Sequence, residues 1–131
     1  MVPWQVIFRD IDTFGHVNNA VYLTYFELAR TSMWLALTGG SRSKDVGFIV
    51  ARTECDFHHQ LEMEPIEIRV RIGDMRTTSF DTLYEIWSAS GRQLVATGRV
   101  VVVLFDWDKN RKTPITDELR QKVRMFQKVV E

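Results

Sequence analysis

The chain has 131 residues, 17 basic against 17 acidic side chains, 45% hydrophobic and 11% aromatic content, and one cysteine. That size is one domain's worth, expected to span 1–131, and balanced charge with no run of five like charges excludes a nucleic-acid tail or a polybasic membrane anchor. Cys55 alone excludes an internal disulfide and a CxxC zinc site. The start Met-Val-Pro-Trp-Gln has no signal-peptide pattern and no apolar run nears the ~18 residues of a membrane span, so the expected location is cytoplasmic.

Residues 4–8, Trp-Gln-Val-Ile-Phe, predict a short strand ending at Arg9-Asp10, and polar residues with Gly15 mark a loop through Asn19. From Ala20 to about Leu37 the period turns helical, with Val21, Tyr22, Tyr25, Phe26, Ala29, Met33, Ala36 and Leu37 recurring on one side. Asn18 and Asn19 are both competent caps, and Gly39-Gly40 supplies the closing turn. Leu23, Leu28, Trp34 and Leu35 add apolar groups to the other side, so the helix is expected to be buried nearly all round.

Four strands follow, over 47–60, 64–73, 79–90 and 93–107, broken by the turn signals Gly73-Asp74 and Ser90-Gly91-Arg92, with the spacing of an antiparallel meander. Alternation from Ile66 to Ile72 describes a sheet with one wet face, whereas Val100 to Phe105 is apolar on both faces and belongs in the centre of a sheet or at an interface. Asp106 to Arg111 forms a polar turn. Thr116 caps a final helix with Asp117 and Glu118 in its first turn and Leu119, Val123, Phe126 and Val130 as its apolar stripe. This order implies an α+β fold, an antiparallel sheet around a central helix with a second helix at the C-terminus. Eight Phe and four Trp suggest more apolar surface than one small monomer buries, hence self-association.

The segment Arg9 to Arg30 concentrates two carboxylates, a histidine and two asparagines at the mouth of an otherwise apolar helix. Buried polar groups are costly unless paired or used, and a helix N-terminus offers free N–H groups and a positive dipole end to a developing oxyanion. A carboxylate just upstream would supply the base or nucleophile for attack on a carbonyl held there. Residue types alone favour a plainer reading, with Asp12 as a turn former, His16 as a packed loop residue and Asn18 or Asn19 as caps. His58-His59 does not read as a metal site, because adjacent strand side chains point to opposite faces.

Order and spacing go further. Asp10-Ile-Asp12-Thr-Phe-Gly-His16-Val-Asn18-Asn19-Ala-Val-Tyr22, followed by Tyr25-Phe26-Glu27 and Ala29-Arg30, resembles the signature of hotdog-fold acyl-CoA thioesterases of the 4-hydroxybenzoyl-CoA thioesterase type, in the branch shared with plant acyl-ACP thioesterases. A looser resemblance covers the rest of the chain, through Thr78-Ser79-Phe80 and Thr113-Pro114-Ile115-Thr116. The resemblance implies a hotdog fold, hydrolysis of an acyl-CoA thioester, and no metal or redox cofactor. It makes Asp12 the catalytic carboxylate, as general base or as nucleophile. It places Asn19 where a backbone N–H meets the thioester carbonyl and His16 where a histidine orients the acid or polarises the carbonyl.

Around these, Gly15 and Asn18 shape the loop, and Phe14 stands where the plant enzymes carry an asparagine, either lining the acyl pocket or packing in the loop. Tyr22 and Tyr25 are core residues, one of them reaching the pocket. Arg76, Thr78 and Ser79 are candidates to hold CoA phosphates, as are Lys109, Arg111 and Lys112, against the alternative of a solvated turn. Glu54 resembles a carboxylate of the plant enzymes but reads better as an ordinary surface glutamate. The family pairs two protomers edge to edge, so a homodimer or tetramer is implied, and the apolar strand 93–107 is the expected edge. Two rivals remain: a hydratase or dehydratase on the same fold, and a non-catalytic acyl-CoA binding domain.

Overall fold

The computed structural model describes residues 2–39, 46–90 and 92–130. In chain order it contains strand β1 (Val2–Gln5), a 3-10 turn (Phe8–Asp10), helix α1 (Asn19–Leu37), strands β2 (Val46–Phe57), β3 (Pro65–Met75), β4 (Ser79–Ser88), β5 (Gln93–Asp106) and β6 (Arg111–Lys112), and helix α2 (Asp117–Val130). The strands form one antiparallel sheet ordered β1-β3-β4-β5-β2, with β6 on the far end of β5. The meander expected from the sequence therefore holds only for β3 to β5; β2 crosses over to pair with β5, from Val46 against Asp106 to Phe57 against Ala96. β5 is interior, and the edges of the sheet are the short β1 and the long β2, not the strand 93–107. The first strand also ends earlier than read, since Phe8 lies in the 3-10 turn and is 80% exposed.

Strand alternation decides which residues meet α1. Ile66, Ile68 and Ile72 of β3, Phe80, Tyr84 and Ile86 of β4, and Ala96, Val100, Val102 and Leu104 of β5 are buried, while Glu67, Arg69 and Arg71 lie on the other side of β3. Against them α1 packs Tyr22, Tyr25, Phe26, Ala29, Met33 and Leu37. Phe26 is fully buried and stacks on Tyr84 with ring centroids 4.5 Å apart. Its ring takes the space where a side chain at Gly98 would stand, so β5 needs glycine there. Each such fully buried side chain contributes about 1.5–3 kcal/mol of transfer free energy.

The expectation that α1 is buried all round does not hold within the chain. Leu23, Glu27, Thr31 and Leu35 are exposed, because the sheet covers one side of the helix only. The Asn18 side chain caps α1 by accepting from Ala20 N–H, and Gly39 beyond its end adopts φ +73°, the left-handed geometry that glycine tolerates. Gly40, Gly91 and the Val130 side chain lie outside the described residues. α2 begins as expected, with Thr116 Oγ1 accepting from Leu119 N–H, and packs on the distal part of β3 and the end of α1. No helix among the described residues is long and apolar enough to cross a membrane.

Candidate active site

The chain between β1 and α1 is folded onto the helix mouth by backbone bonds. Val6 N–H donates to Glu64 O and Val17 N–H to Leu61 O, tying the loop to the segment before β3. Within it, Ile11 bridges Val17, Asp12 N–H donates to His16 O, and Gly15 N–H returns to Asp12 O. Gly15 closes this tight turn with φ +82°, where a β-carbon would be strained. Residues 11–17 thus form a miniature hairpin that ends at Asn18.

The two carboxylates of the loop are used differently. Asp10 is an anchor: its Oδ2 accepts from Tyr25 O–H at 2.8 Å and from Ile7 N–H at 3.2 Å, and its carbonyl accepts from Asn18 N–H. Burial first, and then the Asp10 carboxylate, push the Tyr25 hydroxyl far above the ordinary phenol range; burial also raises Tyr22. Asp12 is only partly buried, and one oxygen accepts from Phe14 N–H at 2.9 Å in an Asx turn. Its second oxygen meets no donor among the described residues.

The helix start has a matching vacancy. Asn18 takes both the Ala20 N–H, with its side chain, and the Val21 N–H, with its carbonyl, while the Asn19 N–H meets no acceptor among the described residues. Asp12 and this free amide lie at the same end of α1. His16 is partly buried and contributes its backbone carbonyl; its ring is not hydrogen-bonded to Asp12. Tyr22 and Tyr25 are core residues, at 2% and 1% exposure, and Tyr22 packs edge-on against Phe57 at 4.9 Å. Phe14 is 85% exposed at the loop tip, so it is neither packed nor lining a cavity of its own protomer: the hairpin turns it outward.

Arg76 and Thr78, in the turn between β3 and β4, and Ser79, which begins β4, sit at the opposite end of the sheet. The ten residue steps of β3 separate them from the loop, about 33 Å of strand. The Arg76 guanidinium is engaged by Ser79 Oγ at 2.8 Å and Asp81 Oδ1 at 2.6 Å, and Thr78 gives its carbonyl to Leu104 N–H. Arg99 joins Asp81 to Glu54, which also meets Arg52 at 2.8 Å, so Glu54 belongs to a charged ladder across the outer face of the sheet. His58 and His59 lie just past β2, both exposed, donating their N–H groups to Val95 O; no metal-binding group of residues occurs among the described residues.

Three features of the site escaped sequence reading. The Tyr25–Asp10 bond was signalled by the first acid of the Asp-x-Asp pair. Leu61, which accepts from Val17 under the loop, and Phe57 against Tyr22 carried no signal, since both come from the β2–β3 region, distant in sequence.

The family model described as the thioesterase-like superfamily matches residues 6–123. The uncharacterized Bacillus subtilis protein YsmA is 30% identical over 118 residues, covering 89% of this chain and 80% of that protein. A thioesterase-superfamily structure from Jannaschia is 25% identical with TM-score 0.87, covering 95% of this chain and 80% of that one. The 1,4-dihydroxy-2-naphthoyl-CoA thioesterase of Synechocystis has the same fold at 21% identity and TM-score 0.81, with 94% and 93% coverage. The antiparallel sheet, the helix it curls around and the matched family together make this chain a thioester hydrolase of hotdog fold, belonging to the thioesterase-like superfamily.

Proposed function

We propose that the protein hydrolyses an acyl-CoA thioester, with Asp12 as general base or nucleophile and the Asn19 N–H as oxyanion donor. The observation that carries this reading is the pairing of an under-used carboxylate oxygen on Asp12 with an unengaged first amide on α1, at one end of the helix. As a base, Asp12 takes a proton from water as its oxygen bonds to the acyl carbon. The oxyanion rests on the helix N-terminus, and the C–S bond then breaks, the thiolate regaining the proton from Asp12. As a nucleophile, Asp12 would form an anhydride as the thiolate leaves, and water would then open it. His16 polarises the carbonyl or orients the acid, Gly15 and Asn18 shape the loop, Phe14 at the loop tip stands beside the acyl group, and of the core residues Tyr22 and Tyr25 one reaches the pocket.

The same reading makes the site dimeric and the whole chain one hotdog domain. β2 is a free edge, and pairing it antiparallel with its copy brings Phe57, at the Asp12 end, opposite Val46 of a second protomer, at the Arg76 end. Thr78, Ser79, Arg76 and the Lys109–Lys112 hairpin of one copy then approach the loop of the other, where CoA phosphates would lie. An aromatic acyl group is one candidate, because the Synechocystis structure is named for a naphthoyl-CoA substrate.

The test is release of free CoA, read with a thiol-reactive dye, from a panel of aliphatic and aromatic acyl-CoAs by wild type, Asp12→Ala and His16→Ala. Turnover by wild type that Asp12→Ala loses supports the reading; full turnover by Asp12→Ala sinks it. After single turnover in ¹⁸O-water, label on Asp12 identifies it as the nucleophile, by way of an anhydride opened at the aspartyl carbonyl. Hydroxyacyl-CoA formed from enoyl-CoA without free thiol would instead identify a hydratase, and tight binding without turnover a binding domain.

A further inference from the structure

We infer that, in the dimer proposed above, Glu27 of the second copy is the counter-ion of the buried Arg30. The inference rests on the dimeric part of the reading above but not on its chemistry. α1 carries only two charged residues, Glu27 and Arg30. Arg30 is 8% exposed; its Nη1 donates to the Tyr84 hydroxyl at 3.0 Å, its cation lies 5.8 Å from the Phe48 ring centre, and its Nε is buried with no partner. No carboxylate among the described residues pairs with it. A guanidinium so buried is costly to leave without an anion.

Glu27, one turn earlier, is exposed and forms no ion pair among the described residues, so the helix does not neutralise itself. It stands in a row with Leu23, Thr31 and Leu35, spaced by four residues and all exposed, the two leucines at 43% and 37%. The row is centred on position 29, midway between 23 and 35, one residue from Arg30. An antiparallel copy therefore sets each Leu23 against the other protomer's Leu35 and each Glu27 beside its Thr31 and Arg30, a self-complementary contact.

Arg30 also faces the open edge. Its neighbour Phe48 is in β2, whose Val50 and Phe57, paired with the buried Val102 and Ala96, are 48% and 47% exposed on the side that faces α1. Pairing of β2 with itself about its middle, near Ala51 and Arg52, would put both Arg30 side chains close to the twofold axis. One symmetry operation thus closes the strand edge, covers the leucines and delivers two carboxylates to two unpaired cations.

Sedimentation equilibrium and native mass spectrometry test this with wild type, Glu27→Gln, Arg30→Met and an equimolar mixture of the two variants. Glu27→Gln lies on an exposed face and should fold normally, yet dissociate about 30-fold more readily than wild type. In the mixture, the hetero-dimer keeps one intact Glu27–Arg30 pair where neither homodimer has any, so it should exceed the statistical half of all dimers. Arg30→Gln replaces Arg30→Met should the latter fail to fold. A monomeric wild type, an unchanged dissociation constant for Glu27→Gln, or a hetero-dimer at the statistical proportion overturns the inference. A dimer that behaves as expected but hydrolyses no acyl-CoA leaves it standing and overturns only the chemistry proposed above.

Discussion

At the Arg76 end of the sheet, side chains reach across elements. Arg76 and Arg99 clamp Asp81, Arg120 donates to Arg76 O, and Gln127 donates to Ile72 O, so the β3–β4 turn, β5 and α2 are fastened together. At the Asp12 end, Asp10 reaches across to Tyr25, but Asp12 and Asn18 close on their own loop, and one carboxylate oxygen and one helix amide are left over. Similar residue types serve fastening at one end and are left for the proposed chemistry at the other. The difference is how many hydrogen-bonding groups the local fold leaves unspent, and it separates positions that should govern stability from those that should govern turnover.

The sharpest way to break the contrast is Asp12→Asn. The amide keeps an oxygen for the Phe14 N–H, so stability should stay close to wild type while kcat falls by about 100- to 10,000-fold. A kcat within threefold of wild type, measured beside a urea unfolding curve, would move the chemistry elsewhere. Gly98→Ala, midway between the ends, tests packing alone: its β-carbon would overlap the Phe26 ring, costing about 3 kcal/mol in the urea midpoint unless that ring shifts.

Asp81→Asn probes the fastened end and should cost about 2 kcal/mol with kcat unchanged, any effect on turnover falling on KM through Arg76. The hydrogen bond from Arg76, aided by Arg99 and opposed by burial, holds the Asp81 carboxyl below the usual carboxylate range. Its stabilisation is complete above the unfolded value of about 3.9 and is lost as pH falls through the lower folded value, so acid unfolding should lose that limb in the variant. Tyr25→Phe is the mildest change, about 1 kcal/mol for the lost bond to Asp10. Because the folded Tyr25 hydroxyl titrates above the phenol value, its contribution is complete below about pH 10 and is lost as pH rises beyond that; thermal melts from pH 9 to 11 should show a flatter decline in the variant.

Much of this architecture is local physics and was legible in the chain. Asn18 caps α1, Gly39 follows it, β3 alternates from Ile66 to Ile72, and β5 is an interior strand apolar on both faces from Val100 to Phe105, all consequences of period and propensity. The Asp10-to-Tyr22 signature likewise placed the acids and asparagines at a helix mouth. The crossover of β2, by contrast, depends on pairing 39 to 60 residues away, from Phe57 with Ala96 to Val46 with Asp106, which no local period encodes. Phe14 turning outward depends on Gly15 closing a hairpin, and the open side of α1 on the sheet covering one side only.

By itself, then, the sequence determined the elements, their caps and the crowding of polar groups before α1, since these follow from neighbours a few residues apart. Only the tertiary structure decided that Asp10 is spent on Tyr25 while Asp12 keeps an oxygen free, that Arg76 stands a strand's length from the loop, and that Arg30 is buried without an anion. Each of those depends on which distant groups arrive within hydrogen-bonding reach, a distance of about 3 Å that spacing along the chain does not specify.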